Sequence, residues 1–425
     1  MRKAIARNGV YSIWGLLSHA VPSRAPWPPA WRFPAPKPRY NVVVVGGGGH
    51  GLATAYYLAR EHGLQDVAVL EKGWIGGGNS GRNTTIVRST YLVDANALFY
   101  EHSLRLWETL STELNFNVMF SQRGLYNLFH SPRERELLGR RQNAMRLNGI
   151  DGELLDRDQL KSEVPELNVS QSARLPVLGA VVQRRAGVAR HDAVVWGYAR
   201  AADRRGVDII QNCEVTAVRS EAGRVRGVET TRGFIAAEKV GLAVAGHTST
   251  LAATAGLTLP IETHLLQACV TEPVKPFLHR VVTSAALHVY VSQTDKGEVL
   301  IGGDLDGYNS YSQRGSFRTT EQNLAHAIEL FPQLSRLKLM RHWAGTMDMT
   351  MDGSPIIDGT PLSGLYVSGG WCYGGFKAIP GAGFCFAHMI ARNEPHPLNA
   401  PFRLSRFRDG PLINERGAPP MPSAH

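Results

Sequence analysis

The chain has 425 residues, 43% of them hydrophobic, enough to bury a large core, and it reads as a globular protein of two interleaved domains. Its net charge of +10 is spread without Lys/Arg blocks and without any nucleic-acid motif, which leaves anionic substrates, an acidic partner or simple solubility. No apolar run approaches the roughly 18 residues of a membrane span, and four cysteines without C-x-x-C spacing read as reduced thiols of a cytoplasmic protein, not as a metal site.

Tyr11 to Val21 is mildly apolar but short, with no convincing small-residue cleavage site and no twin arginines. Val21 to Tyr40 then holds seven prolines together with Trp27, Trp31 and Phe33. Proline on this scale forbids a helix or central strand, so residues 1–39 read as an extended arm packed on the body or on a partner. The run Val42–Val45 reads as a buried parallel strand, and Gly46, Gly48 and Gly51 after it have G-x-G-x-x-G spacing. The first glycine allows the tight turn, the second lets a pyrophosphate approach the backbone, and the third lets helix pack on strand. Free N–H groups at the helix start would face the phosphates. Glu71, closing the next strand Val67–Leu70, stands where an acid can accept hydrogen bonds from a ribose.

Further along, Asn96–Leu110 reads as an amphipathic helix with Leu98, Leu104, Leu106 and Trp107 among its apolar positions. Arg133–Leu147 and His191–Arg205 read as helices, and Val207–Ile210 as a strand. Arg224–Thr231 and Phe234–Lys239 form a hairpin around Arg232-Gly233, and Val240–Ala245 a separate buried strand ending at Gly246. From about 255 to 340 the pattern turns to strands, His288–Gln293 and Glu298–Ile301 among them, and predicts an antiparallel substrate sheet. Leu365–Gly370 is a strand running into a glycine loop, and Pro380-Gly-Ala-Gly383 opens the apolar helix Phe384–Arg392. A helix N-terminus there could stabilise negative charge on a reduced flavin. The fold class is therefore α/β. A Rossmann-type dinucleotide domain (40–95, 175–255 and 340–395) is interleaved with an antiparallel-sheet substrate domain (96–174 and 256–339), and 396–425 form a tail.

Several segments carry a more specific likeness: Val45–Tyr56, Gly77–Ser89, Phe120–Gly124, Gly187–Asp192, Gly374–Ala378 and the ending around Pro401 and Phe402. On these the chain resembles the flavin-dependent amine oxidases of the D-amino-acid/glycine oxidase superfamily, and within it the β subunits of heterotetrameric sarcosine oxidases. The resemblance implies noncovalent FAD, a covalently attached FMN, and α, γ and δ partner subunits, with tetrahydrofolate and NAD on the α partner. It also implies electron flow from FAD to FMN to oxygen, giving hydrogen peroxide.

Candidate cofactor-binding residues are Gly46, Gly48, Gly51, Glu71, Lys72, Asn79, Arg82, Asn83, Thr84, Val215, Gly246, Gly374, Gly375 and Phe376. His191 precedes Asp192, a plausible helix cap, so a capping context explains it locally. The resemblance assigns it the FMN, since the family's flavin-carrying histidine sits in this Gly-Val-Ala-Arg-His-Asp context. Lys377 and Arg88 are the catalytic candidates, cations beside glycine-rich segments where charge is costly to bury unpaired. An amino-acid carboxylate is their natural partner, and arginine can grip it bidentately. In related monomeric oxidases the lysine after Gly-Phe holds that carboxylate, and the cysteine that binds FAD covalently there is replaced near Gly345.

Trp371-Cys372-Tyr373, Ala344–Met347 and Gly303-Asp304 depart from the family pattern. They bear on the substrate more than on the flavin chemistry. The expected reaction is oxidation of sarcosine to an imine. The alternatives are an oxidase or dehydrogenase for another secondary or N-methyl amino acid, and a flavin-bearing scaffold without turnover.

Overall fold

The structure, a computed structural model, describes Ile13 and residues 31–415, so most of the proline–aromatic arm lies outside the described residues. The valine run forms β1 (Arg39–Val45), buried from Val42 onward as a strand covered on both faces must be. It turns directly into α1 (Gly49–Glu61), and β2 (Val67–Leu70) completes the first β-α-β unit. Gly51 permits the close approach: a Cβ there would lie 2.0 Å from the Gly46 carbonyl oxygen.

Next come β3 (Ile86–Val87), α2 (Asp94–Leu114) and β4 (Leu125–Phe129). α2 buries Leu104 and Trp107 but leaves Leu98 49% exposed, so Leu98 is not core as its spacing suggested. Asn115, at φ 47°, ends the helix in the left-handed conformation. α3 (Pro132–Leu147) starts where its sequence signals say. Ser131 caps it by accepting a hydrogen bond from the Glu134 N–H at 3.2 Å, and Pro132 fills the first position. β5 (Glu153–Asp156), α4 (Arg157–Glu163), β6 (Gly179–Gln183), β7 (Gly187–Val188), α5 (His191–Asp203), β8 (Asp208–Ile210), β9 (Val215–Glu221) and β10 (Arg224–Thr230) follow.

The hairpin turn at Arg232-Gly233 is present, but its second arm does not stop at Lys239. β11 (Gly233–Leu242) unites that arm with the strand expected separately at Val240–Ala245. Lys239 is tolerated inside the strand because its Nζ reaches the Ile390 and Ala391 carbonyls while its stem stays packed.

The remaining elements are α6 (Thr248–Ala253), β12 (Glu262–Pro273), β13 (Val281–Ser284), β14 (Val289–Gln293), β15 (Glu298–Asn309), α7 (Phe317–Leu330), β16 (Leu339–Met349), β17 (Ile356–Gly359), β18 (Leu365–Gly369) and α8 (Gly375–Arg392). α7 corrects the all-strand reading of 255–340. Its buried face joins Thr319, Thr320 and Asn323 to Ala327 and Leu330, with Leu324 packed beside them.

α8 is a second correction, because it begins at Gly375 and contains Pro380 rather than starting there. The proline disturbs the local ladder, and α2 repairs it. Ser103 Oγ and Trp107 Nε1 donate to the Lys377 carbonyl at 2.7 and 2.9 Å, while the Gly381 N–H donates to Ser103 Oγ at 3.3 Å.

One sheet runs β17-β18-β11-β1-β2-β8, parallel except for β17, with β9 and β10 as an antiparallel ribbon off β11. The other runs β16-β12-β15-β14-β13-β4-β6-β5 and is antiparallel except where β4 meets β13. β6 and β16 join this second sheet although their residues fall mainly within stretches expected in the dinucleotide domain. The architecture is α/β, a Rossmann-type sheet beside a largely antiparallel one. Among the described residues no helix is long and apolar enough to cross a membrane.

Candidate active site

β1, β11 and β18 are parallel, so the loops after Val45, Leu242 and Gly369 gather at one edge. A cavity of about 740 Å³ opens there, walled by Gly46, Ala243 and Ser368 from the first sheet's edge and by Asn127, Ala268 and Tyr290 from the second. Ligands of open α/β sheets settle at such strand ends.

At the glycine turn, Gly46 has φ 109°, and Ser80 Oγ accepts the Gly49 N–H at 2.9 Å. Glu71 lies on the same wall. Its Oε2 accepts from the Gly47 N–H at 2.8 Å and its Oε1 from the Gly73 N–H at 2.9 Å. A carboxylate has lone pairs to spare after two such bonds, so it can still receive a ribose hydroxyl. Lys72 and Val215 also line this end.

Asn79 and Arg82 shape the next wall. Asn79 brackets Thr346, donating to its carbonyl at 2.5 Å and accepting from its N–H at 2.9 Å. Arg82 donates to the Gly77 and Gly78 carbonyls. Asn83 Oδ1 holds the Thr85 N–H at 2.6 Å, where Thr85 sits at φ 66°. A β-branched residue in that region is strained, and Asn83 and the Ala189 N–H on the Thr85 carbonyl hold it there. The twist leaves Thr84 and Ile86 on the cavity.

Four buried polar atoms of lining residues have no hydrogen-bond partner among the described residues: His50 Nδ1, Trp371 Nε1, Ser368 Oγ and the Tyr290 hydroxyl. His50 Nε2 lies 2.7 Å from the Gly375 carbonyl, so that nitrogen carries the proton and Nδ1 is left as an acceptor. Burial lowers the His50 pKa to about 4, so the ring is neutral at neutral pH. Gly78 would meet nothing within 4 Å if it carried a Cβ, which would therefore project into open space beside the cavity it lines. Turn, acid, unclaimed donors and bare backbone together fit a flavin dinucleotide. Gly345 faces the same space, with nothing nearer than Asn79 Oδ1 at 3.4 Å to a built Cβ.

Lys377, at the start of α8, is 6% exposed and its Nζ donates to the Tyr373 carbonyl at 2.6 Å. Burial, and then the charge of Arg88, push its pKa well below the usual lysine value. Arg88 donates to the Thr90 carbonyl at 2.9 Å and to Thr90 Oγ1 at 2.6 Å, and lies 4.8 Å from the Tyr91 ring centroid. Neither cation has a carboxylate in contact among the described residues. Phe376 and Gly375 line the cavity beside them, as do Trp371, Cys372 and Tyr373.

Four sequence candidates lie off the lining. Gly51 serves helix packing, while Gly246 is wedged against Thr263 and Thr346 and Gly374 against Tyr100. His191 opens α5, half-buried, three residues after β7, and burial lowers its pKa. Sequence reading missed His50, Asp348 and Arg141 as lining residues. His50 could have been noticed inside the glycine motif, whereas nothing in the helix pattern marks Arg141.

Burial raises the Asp348 pKa to about 6, although its carboxylate accepts from the Gly370 N–H at 2.6 Å. The native state therefore holds this proton more tightly than the unfolded chain. The associated stability is fully present below about pH 4 and is lost as pH rises through about 6, on the order of 2–3 kcal/mol in all. Urea unfolding of Asp348→Asn between pH 4 and 8 should lack that segment of the wild-type slope. Parallel curves for the two proteins would refute it.

Residues 41–389 match the family described as "FAD dependent oxidoreductase". The chain is 57% identical to a sarcosine oxidase subunit beta of Rhizobium meliloti (strain 1021), over 98% of this chain and 100% of that one. It is 54% identical to a sarcosine oxidase subunit beta of an Arthrobacter species, over 91% and 96% respectively. Among solved structures it is similar to an L-proline dehydrogenase from P. horikoshii, with TM-score 0.82, 27% identity, and coverage of 89% of this chain and 100% of that one.

Proposed function

The chain belongs to the FAD dependent oxidoreductase family, and on that premise we propose that it oxidises sarcosine to an imine as the β-type subunit of a multi-subunit oxidase. The imine leads to glycine and a one-carbon unit. Hydrogen peroxide is the product formed from oxygen. The observation that carries this reading is two cations, the buried Lys377 and the half-buried Arg88, without carboxylate partners among the described residues in a cavity that begins at a dinucleotide glycine turn.

FAD, when bound, supplies the acceptor for the hydride that leaves the N-methyl carbon. The protein's own share is binding and orientation. Gly46 to Gly51 would hold the pyrophosphate at the start of α1, and Glu71 a ribose hydroxyl. The N-terminal turn of α8 favours negative charge on its side of the cavity. Arg88 would take the substrate carboxylate in its planar fork and Lys377 would add a point charge. Tyr373 and Trp371 wall the space where the amine would lie.

His191 would hold FMN covalently, and FMN there would supply the exit for electrons toward oxygen. A half-buried imidazole with lowered pKa is neutral at physiological pH, the form that can act as a nucleophile, which supports this assignment. The partners in this reading are α, γ and δ subunits, with tetrahydrofolate and NAD on the α partner.

The second reading is a dehydrogenase for another secondary or N-methyl amino acid. The bulk of Tyr373 on the cavity wall favours it. One preparation of the assembled complex separates these ideas. Anaerobic sarcosine should bleach the bound flavin, and denaturation should then release FAD but leave one FMN mass on the chain, lost in His191→Ala. Unbleached flavin with sarcosine sinks the main reading, and an unmodified wild-type chain sinks the role of His191.

A further inference from the structure

The cavity lined by Lys377 and Arg88 is lined as well by residues that the sarcosine reading does not use. α3 packs over β4 and β6 and contributes Leu138 and Arg141, one turn apart, to the lining. The facing wall comes from β4 and β13, whose Asn127 and Thr283 are register partners. Thr283 Oγ1 donates to Asn127 Oδ1 at 2.7 Å, which fixes the amide and leaves its NH₂ group with no acceptor among the described residues.

Arg141 is only partly accessible, yet no hydrogen bond or ion pair reaches its guanidinium among the described residues. Its electrostatic neighbours are Glu415, which favours the charge, and Arg88, which opposes it. Glu415 is already committed elsewhere: its oxygens accept from the Leu92 and Val93 N–H groups and from Asn96 Nδ2. An arginine cannot shed its proton to escape burial. A guanidinium so placed is costly unless an anion completes it.

One carboxylate is satisfied by Arg88 and Lys377 together. A third cation, with an unclaimed amide beside it, exceeds what a monocarboxylate needs. We propose that Arg141 and Asn127 form a second anion subsite, which takes the distal carboxylate of an N-carboxyalkyl amino acid whose first carboxylate is held by Lys377 and Arg88. Leu138 supplies an apolar wall for the carbons between the two charges. The proposal rests on the carboxylate-clamp reading above.

Equilibrium binding to the assembled, FAD-loaded complex tests it, with sarcosine and iminodiacetate as the two probes and no turnover required. Arg141→Met should raise the Kd for iminodiacetate tenfold or more and that for sarcosine less than twofold, and Arg141→Lys should recover part of the loss. Asn127→Ala should shift the same ratio in the same direction, which guards against a single variant that folds badly. Equal weakening of both ligands, no change in either, or two monocarboxylates bound per cavity in place of one dicarboxylate would each overturn the proposal. Failure of the clamp itself is read separately. If Lys377→Met leaves both ligands unaffected, the clamp reading falls, whatever Arg141 does.

Discussion

Lys377→Met in the assembled complex should keep its FAD and lose the ability to be reduced by sarcosine. Removing one partner of a buried, hydrogen-bonded charge pair costs about 2–5 kcal/mol, so kcat/KM should fall about 30-fold to several thousand-fold. Methionine preserves side-chain length and helix propensity, so the start of α8 should persist. The pH dependence separates a binding role from a structural one. Burial lowers the Lys377 pKa, so the free site loses its charge as pH rises, and a bound carboxylate draws the proton back. Methoxyacetate, a carboxylate without an amine to titrate, should therefore bind with proton uptake. Its affinity should fall toward tenfold per pH unit above that lowered pKa, and the variant should show a flat profile. Stopped-flow reduction and equilibrium binding measure both, and a wild-type-like rate in the variant would refute the assignment.

The second large effect is on stability. Arg406 and Asp352 are fully buried and paired through two contacts, Nε to Oδ2 at 2.8 Å and Nη2 to Oδ1 at 3.0 Å. Arg406 also donates to the Ser354 carbonyl at 2.8 Å, and Asp352 accepts from the Ile413 N–H at 3.0 Å. The pair thus ties the C-terminal segment to the turn between β16 and β17. Arg406→Met leaves Asp352 as an uncompensated buried charge, and the expected loss is about 3–5 kcal/mol. The double variant Arg406→Met/Asp352→Leu should recover much of it, because the desolvation of both ions disappears as well. Urea unfolding reads the difference; a single variant within about 1 kcal/mol of wild type contradicts the account. The same segment brings Glu415 to the Leu92 and Val93 N–H groups.

Local rules served the sequence well where one short segment carries the whole signal. The β1 valines, the glycine turn and Glu71 form one β-α-β unit whose conformation is set by backbone geometry over some thirty residues, and the structure brings them to one cavity wall. Reading failed where a neighbour in space overrode the segment. Pro380 looks like a helix start, and only Ser103 and Trp107 of α2 make it tolerable inside α8. Lys239 looks like a strand end, and only the carbonyls at the end of α8 let β11 pass through it. α7 packs Leu324, Ala327 and Leu330 into the core, but its first turns are buried through threonine and asparagine, whose burial depends on partners such as Gln267 and Ser316.

The sequence by itself determined the α/β class and the dinucleotide turn, because both follow from short-range spacing, and it singled out Lys377 and Arg88 as candidate cations. Tertiary structure alone decided that both cations open on the same cavity, that His50, Trp371 and Ser368 present unclaimed polar atoms to it, and that Arg141 joins them from a helix with no motif. It also decided that His191 stands off the cavity lining. The physical reason is that burial and electrostatic partnership are properties of the packed neighbourhood. Segments hundreds of residues apart in the chain become dielectric and counter-charge for one another only when both sheets have closed around the cavity.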